Sequence, residues 1–326
     1  MRPLALCLVL AGVAAAQVYV DPFAYPDGTQ IASWTEKRGD WIVQNGVVHT
    51  QTAGTWSYLT KDGFFFKDCV TEADVFYEGT TSVVQFGGTC ARHLGGPNDT
   101  NLVMCKVQNN GGAADLDIIW TYEQGFGSAN TPIGSTLAAR IRMITVGNAA
   151  HTFVDVDRNG TWDVGHTKPL TMLLNPGEVG VTAFFFTPLV KSSGVDNFAL
   201  FDAVLMGDNP TPRLGTTITL SLKGQNPGST FQAACSLSNA PGIPVDSRNI
   251  PLTPDGLMIA SLILPTVFAN FSGVLDANAA AQAQILLPQS PALVGLSFYA
   301  AFVTMSPGAP SGIENISNDE RFTIAP

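Results

Sequence analysis

From Trp34 to Leu205 apolar and polar residues alternate with a period of two, and the runs are broken every ten or so residues by Gly, Pro, Asn or Asp. The runs "WIVQNGVVHT", "CVTEADVFYE", "SVVQFGGTCA", "NLVMCKVQ", "LDIIWTYE", "ARIRMITV", "HTFVDVD", "VGVTAFFF" and "NFALFDAVL" each predict a strand. No stretch carries a sustained helical period. Many short strands separated by turn signals predict a sandwich or jelly roll. At residues 207 to 215 the pattern stops in "GDNPTPRLG", which reads as a linker stiffened by Pro210 and Pro212. Beyond it "TTITLSL", "FQAACSLS", "LMIASLIL", "AQAQILLP", "LSFYAAFVTM" and "RFTIAP" predict a smaller β-sandwich. The expected organisation is therefore a first domain over residues 17 to 206, the linker, and a second domain over residues 216 to 326.

The first residues break this pattern in a different way. "MRPLALCLVLAGVAAAQ" has a basic residue, a short apolar run and then three alanines, the form of a signal peptide removed after Ala16. The expected location is secreted, at the cell surface or in the periplasm, with no membrane insertion. Charged residues make up 13% of the chain and the formal net charge is -10. A chain so acidic has no electrostatic reason to bind nucleic acid. Once Cys7 has left with the leader, Cys69, Cys90, Cys105 and Cys235 remain for an oxidising compartment. Hairpin loops at "EGTT" and "LGGPNDT" would set Cys90 opposite either Cys69 or Cys105. One cross-strand disulfide is expected, its pairing left open. The scattered His49, His93, His151 and His166 and the absence of a CxxC pair argue against zinc.

Three segments of the first half, "DPFAYPDGTQIASWTEKRGDWIVQNGVVHT", "ARIRMITVGNAAHTFVDVDRNG" and "VGVTAFFFTPLVKSSGVDNFALFDA", resemble the concanavalin A-like, laminin-G-like jelly rolls of secreted bacterial proteins. The resemblance implies an all-β fold in which the opening and closing strands meet, and a role in binding glycans or proteins, or in glycan hydrolysis. "SPALVGLSFYAAFVTMSPGAPSGIENISN" resembles a module found at the ends of large secreted bacterial proteins and implies no particular function.

Three groups of residues carry candidate chemistry. In "DVDRNGTWD", Asp155, Asp157, Asn159 and Asp163 follow the spacing of a calcium loop, but His166 stands where a closing carboxylate belongs. The competing reading is a plain hairpin. With "GNAA" as its loop, Arg142 would lie across from Asp155 and Arg140 across from Asp157, and Asn159-Gly160 would form a two-residue turn. We favour the hairpin, with no cofactor; calcium gains if the arginines turn away. In "TEADVFYEG", Glu72, Asp74 and Glu78 share a strand face, as do the paired carboxylates of laminarinase-type members of the jelly-roll superfamily. Their spacing is longer than that pattern, and we assign no catalytic residue. Among Trp34, Trp41, Trp56, Tyr58, Trp120, Tyr122 and Trp162, the first two belong in the core. Trp120 and Tyr122 share a strand face and could stack on a sugar ring. The expectation is a non-catalytic exported protein that binds a glycan, or else an extracellular protein, through its first domain; a laminarinase-type hydrolase and a structural surface module are the alternatives.

Overall fold

A computed structural model describes residues 19–29, 31–77, 84–95, 101–109, 116–123, 128–185 and 194–326. The leader, Glu78 and the "EGTT" loop lie outside the described residues. Within them the chain is nearly all strand. The first half is a jelly-roll sandwich of two antiparallel sheets. An eight-stranded sheet runs in the order Val164–Pro169, Ala149–Asp155, Ala138–Val146, Cys69–Phe76, Gly194–Phe201, Val47–Thr50, Trp41–Gln44, and Tyr19–Asp21 also pairs with Gly194–Phe201. A seven-stranded sheet runs Ser128–Thr136, Leu116–Glu123, Val103–Gln108, Gln85–His93, Gly177–Phe185, Ser57–Phe66, Trp34–Arg38.

The core between these sheets is what period-two alternation demands. Cys69, Ala73 and Val75 point inward from one sheet, and Val103, Cys105, Val107, Val179, Val181 and Ala183 from the other. Trp34 and Trp41 join them. Asp21 ties the opening segment down: its carboxylate accepts from Tyr19 Oη, Tyr25 Oη, Trp34 Nε1 and the Phe23 N–H, all within 2.8 Å. Buried Arg92 donates to the carbonyls of Lys67, Leu173 and Gly147 and so links three loops at one end.

The second half is a smaller sandwich. One sheet holds Val204–Gly207, Thr217–Lys223, Ala280–Leu286 and Phe268–Ala269; the other holds Ser272–Val274, Thr230–Ser236, Ser297–Met305 and Ile313–Ile316, with Glu320–Thr323 also on Ser297–Met305. It packs on the outer face of the eight-stranded sheet, where Val70, Ile144, Ala199 and Phe201 meet Val303 and Ile316. Buried Asp202 stands at the junction and accepts from the Ile316 N–H and Asn315 Nδ2.

Several elements differ from the sequence expectation. "WIVQNGVVHT" is two strands, because Asn45 and Gly46 both take positive φ (55° and 74°) and close a hairpin in the middle of the run. "NFALFDAVL" is also split. Its first part ends at Phe201 in the first sandwich, while Val204–Gly207 pairs with Thr217–Lys223 in the second. "LMIASLIL" is not a strand: Gly256–Ile263 is an α-helix capped by Asp255, whose carboxylate accepts from the Met258 N–H at 2.8 Å. Residues 207 to 215 are tied to the C-terminal end, since Pro210 and Pro212 accept from the Thr323 and Ala325 N–H groups.

Candidate functional site

The outer face of the seven-stranded sheet carries the aromatic residues. Cross-strand register sets Asn130, Trp120, Lys106, Gly88, Thr182 and Tyr58 in one row. Tyr122 and Phe86 flank that row two residues along their strands, and Trp56 lies at its edge. Trp120 and Tyr122, expected to share a face, do so with ring centroids 5.9 Å apart, and Trp56 meets Tyr122 edge-on at 5.4 Å. All three rings are partly exposed. Trp120 Nε1 and Tyr58 Oη are buried polar atoms with no hydrogen-bond partner among the described residues. Each costs free energy unless something supplies a partner.

Lys106 sits in the middle of this group and is 3% exposed. Its Nζ lies 4.1 Å from the ring centroid of Phe86, 4.8 Å from Trp56, 4.9 Å from Tyr122 and 5.8 Å from Trp120. Burial pushes its pKa down to about 7, so near neutral pH the amine is divided between its charged and neutral forms. Sequence reasoning passed over Lys106 and Phe86, and named Trp56 among the aromatic residues without choosing it. The only local signal was a lysine in phase with the outward residues of an apolar strand, and its neighbours come from other strands.

On the opposite sheet the carboxylates of "TEADVFYEG" meet a different fate. Glu72 lies across from Arg142 and Asp74 across from Arg140. Glu72 binds Arg142 Nε at 2.6 Å and Arg140 at 2.8 Å, and Asp74 binds Arg140 at 3.3 Å. Burial alone would raise the Glu72 pKa, but the two guanidiniums more than offset it and hold the carboxyl below its usual range. Arg142 continues across the junction to Asp319 and Glu320, each at 3.4 Å. Burial pushes Glu320 up to about 7 in spite of that partner.

The expected hairpin register is off by two. The turn is Gly147-Asn148, with Gly147 at a φ of 57°, so Arg140 faces Asp155 and Arg142 faces Phe153. Both arginines pair with carboxylates of the neighbouring strand and not with the loop's aspartates, although the Arg142 guanidinium also lies 4.6 Å over the ring of the loop's Trp162. Asn159-Gly160 is not a two-residue turn; it lies within the longer connection between Ala149–Asp155 and Val164–Pro169. There the buried Asp155 accepts from the Asn159 and Gly160 N–H groups at 3.0 and 2.7 Å. Asp157 accepts from Asn159, Asp163 from the Val156 N–H, and Asn159 Oδ1 from the Thr161 N–H. Ligand atoms of Asp155, Asp157 and Asp163 come within 4.8 Å of one another. Burial raises the Asp155 pKa despite its two N–H donors, with Asp157 and Asp163 adding to the rise. Each carboxylate oxygen has a second lone pair, so a donor set of this kind fits a hard cation.

The expected disulfide among Cys69, Cys90 and Cys105 does not form. Thr89, not Cys90, pairs with Cys105, so Cys90 and Cys105 face opposite sides of their sheet, and Cys69 belongs to the other sheet. All four cysteines, Cys235 included, are buried and free.

No family model matches the chain, and no curated protein matches it. Solved structures with a similar arrangement include a carbohydrate binding module, CBM66, from Bacillus subtilis, 16% identical over 52% of this chain and 99% of that one, with a TM-score of 0.35. Others are the Ca2+/Man2-bound exoplasmic/lumenal domain of VIP36, 10% identical over 56% and 85% of the two chains with a TM-score of 0.39, and the catalytic domain of an endo-1,3-beta-glucanase (laminarinase) from Thermotoga petrophila RKU-1, 10% identical over 58% and 98% with a TM-score of 0.39. Likeness at this level brings no argument about ligand or activity to this chain.

Proposed function

We propose that this is an exported, non-catalytic protein that binds a glycan on the outer face of its seven-stranded sheet. The observation that supports it is the grouping of Trp56, Trp120 and Tyr122 around Lys106, with Trp120 Nε1 and Tyr58 Oη lacking partners among the described residues. Partly exposed rings offer flat faces to the C–H side of a sugar. The binding reading is preferred to a laminarinase-type reading because both oxygens of Glu72 are held by arginines. A nucleophile or acid needs a carboxyl free to reach the sugar. Affinity electrophoresis through gels containing neutral or acidic polysaccharides tests the proposal. Retardation of the wild type by at least one polysaccharide, abolished in Trp120→Ala, is the expected result. Mobility that no polysaccharide changes would overturn it.

A second reading concerns the Asp155 loop, which we propose holds calcium as a structural ion. It gains support from the arginines: with Arg140 and Arg142 engaged by Glu72 and Asp74, no arginine forms an ion pair with Asp155, Asp157 or Asp163 among the described residues.

A further inference from the structure

The two sandwiches leave between them a pair of adjoining cavities of about 430 and 370 Å³ that share Arg142, Gly160, Trp162 and Arg321. These volumes are in the range that holds a small molecule, and junctions between domains are a usual place for one. One wall is the connection that carries Trp162, and the other comes from the second sandwich, with Tyr299 and Arg321.

The cations of this cleft are distributed unusually. The whole chain has nine arginines, and four of them, Arg140, Arg142, Arg158 and Arg321, line the smaller cavity. Arg140 and Arg142 are neutralised by Glu72, Asp74, Asp319 and Glu320. Arg158 and Arg321 form no ion pair among the described residues. The Arg158 guanidinium lies over the Phe76 ring at 5.2 Å. Arg321 donates only to hydroxyls, to Thr161 Oγ1 at 2.8 Å and Ser297 Oγ at 3.4 Å, and its buried Nε has no partner among the described residues. Two guanidiniums without an ion-pair partner among the described residues thus stand at one cavity of an acidic chain, and Arg321 keeps an Nε donor that no described residue satisfies. A guanidinium of this kind is suited to a planar, bidentate anion.

We propose that the cleft binds a small ring-shaped carboxylic acid, of the size of a single sugar acid, with its carboxylate on Arg321 and Arg158 and its ring against Trp162 and Tyr299. Asp155, Asp319 and Glu320 also border the two cavities, so a single negative charge suits the site better than a doubly charged phosphate or sulfate. Threonines at the rim, Thr161, Thr167 and Thr211, supply hydroxyl partners for a polyol. The site lies on the far sheet from the aromatic face and does not depend on it.

Isothermal titration of the full chain with sodium glucuronate, sodium galacturonate, glucose and sodium sulfate tests this. At least one uronate is expected to bind with a Kd of about 1 mM or tighter, with no saturable heat from glucose or sulfate. Arg158→Ala and Arg321→Ala should each weaken binding by about tenfold or more, while Trp120→Ala leaves it unchanged. Arg158 is exposed, so its variant reads the site even if Arg321→Ala folds poorly. Failure of both uronates to bind, equal binding of sulfate, or affinity unchanged in Arg158→Ala would each overturn the proposal.

Discussion

Replacing Lys106 by methionine is expected to stabilise the protein at neutral pH and below, and to stabilise it progressively less as the pH rises. Burial takes the amine from an ordinary pKa of 10.5 to about 7. At about 1.36 kcal/mol per unit, a difference of about 3.5 units sets an upper bound of about 5 kcal/mol on the cost of burying the ammonium. The rings oppose that cost. Four centroids lie between 4.1 and 5.8 Å from Nζ, and a desolvated cation–π contact contributes on the order of 1 to 2 kcal/mol, with less for each further ring. Any ring contribution would lower that cost and narrow the pH window together, so about 5 kcal/mol is the most the substitution can recover. Its pH dependence follows from linkage. Between about pH 7 and 10.5 the unfolded chain holds a proton that the folded chain has released, so stability rises with pH across that window. The cost is full below about pH 7 and absent above about pH 10.5. Methionine keeps the length and gives the rings a polarizable partner. Urea unfolding of wild type and Lys106→Met at about pH 6, 8 and 10 measures the difference directly. A methionine variant less stable than wild type by the same amount at every pH would refute this reasoning, because it would mean that the rings hold the ammonium firmly enough to outweigh its burial.

Two further outcomes concern the loop and the junction. If the Asp155 loop holds calcium, millimolar calcium should raise the melting temperature of the wild type by the equivalent of about 2.7 kcal/mol at a hundred times Kd, and Asp155→Asn should lose that gain while costing only about 1 kcal/mol in chelator; equal melting with and without calcium would leave only the hydrogen-bonded loop. Cutting the chain after Asp208 should fail to give a folded second half, because Val204–Gly207 is an edge strand of that sandwich and Leu205 lies in its core. Soluble, cooperatively melting residues 209 to 326 would refute this, and residues 202 to 326 are the expected remedy.

Alternation made most of the strands legible, and it placed Trp120 and Tyr122 on one face from their spacing alone. It was silent where the pattern does not change across a boundary. The hydrophobic beat of "WIVQNGVVHT" continues through Asn45-Gly46, so only the turn chemistry of that pair could have divided it. "LMIASLIL" is apolar at nearly every position and has no period to read; its one distinguishing signal was Asp255 three residues ahead of Met258. The hairpin register turned on whether Gly147 closed a turn of two residues or began a loop of four, and a shift of two keeps every side chain on its face while changing its partner. The cage around Lys106 and the cleft at Arg321 lay beyond reach for a different reason. Both are assembled from strands distant in sequence, and neither has a local signature.

The four buried thiols give the protein built-in reporters of its own opening. Burial raises the Cys69 pKa to about 11 and those of Cys90, Cys105 and Cys235 still further, so the reactive thiolate is nearly absent at neutral pH while the fold is closed. They also sit in separate places: Cys69 and Cys105 between the sheets of the first sandwich, Cys90 beneath its aromatic face beside Tyr58, and Cys235 in the second sandwich. A thiol reagent therefore reads each region by the rate at which that region exposes its cysteine, with no label added to the chain. Because none of them is cross-linked, the same fold is equally available in reducing and oxidising surroundings, and its assembly does not wait on an oxidant.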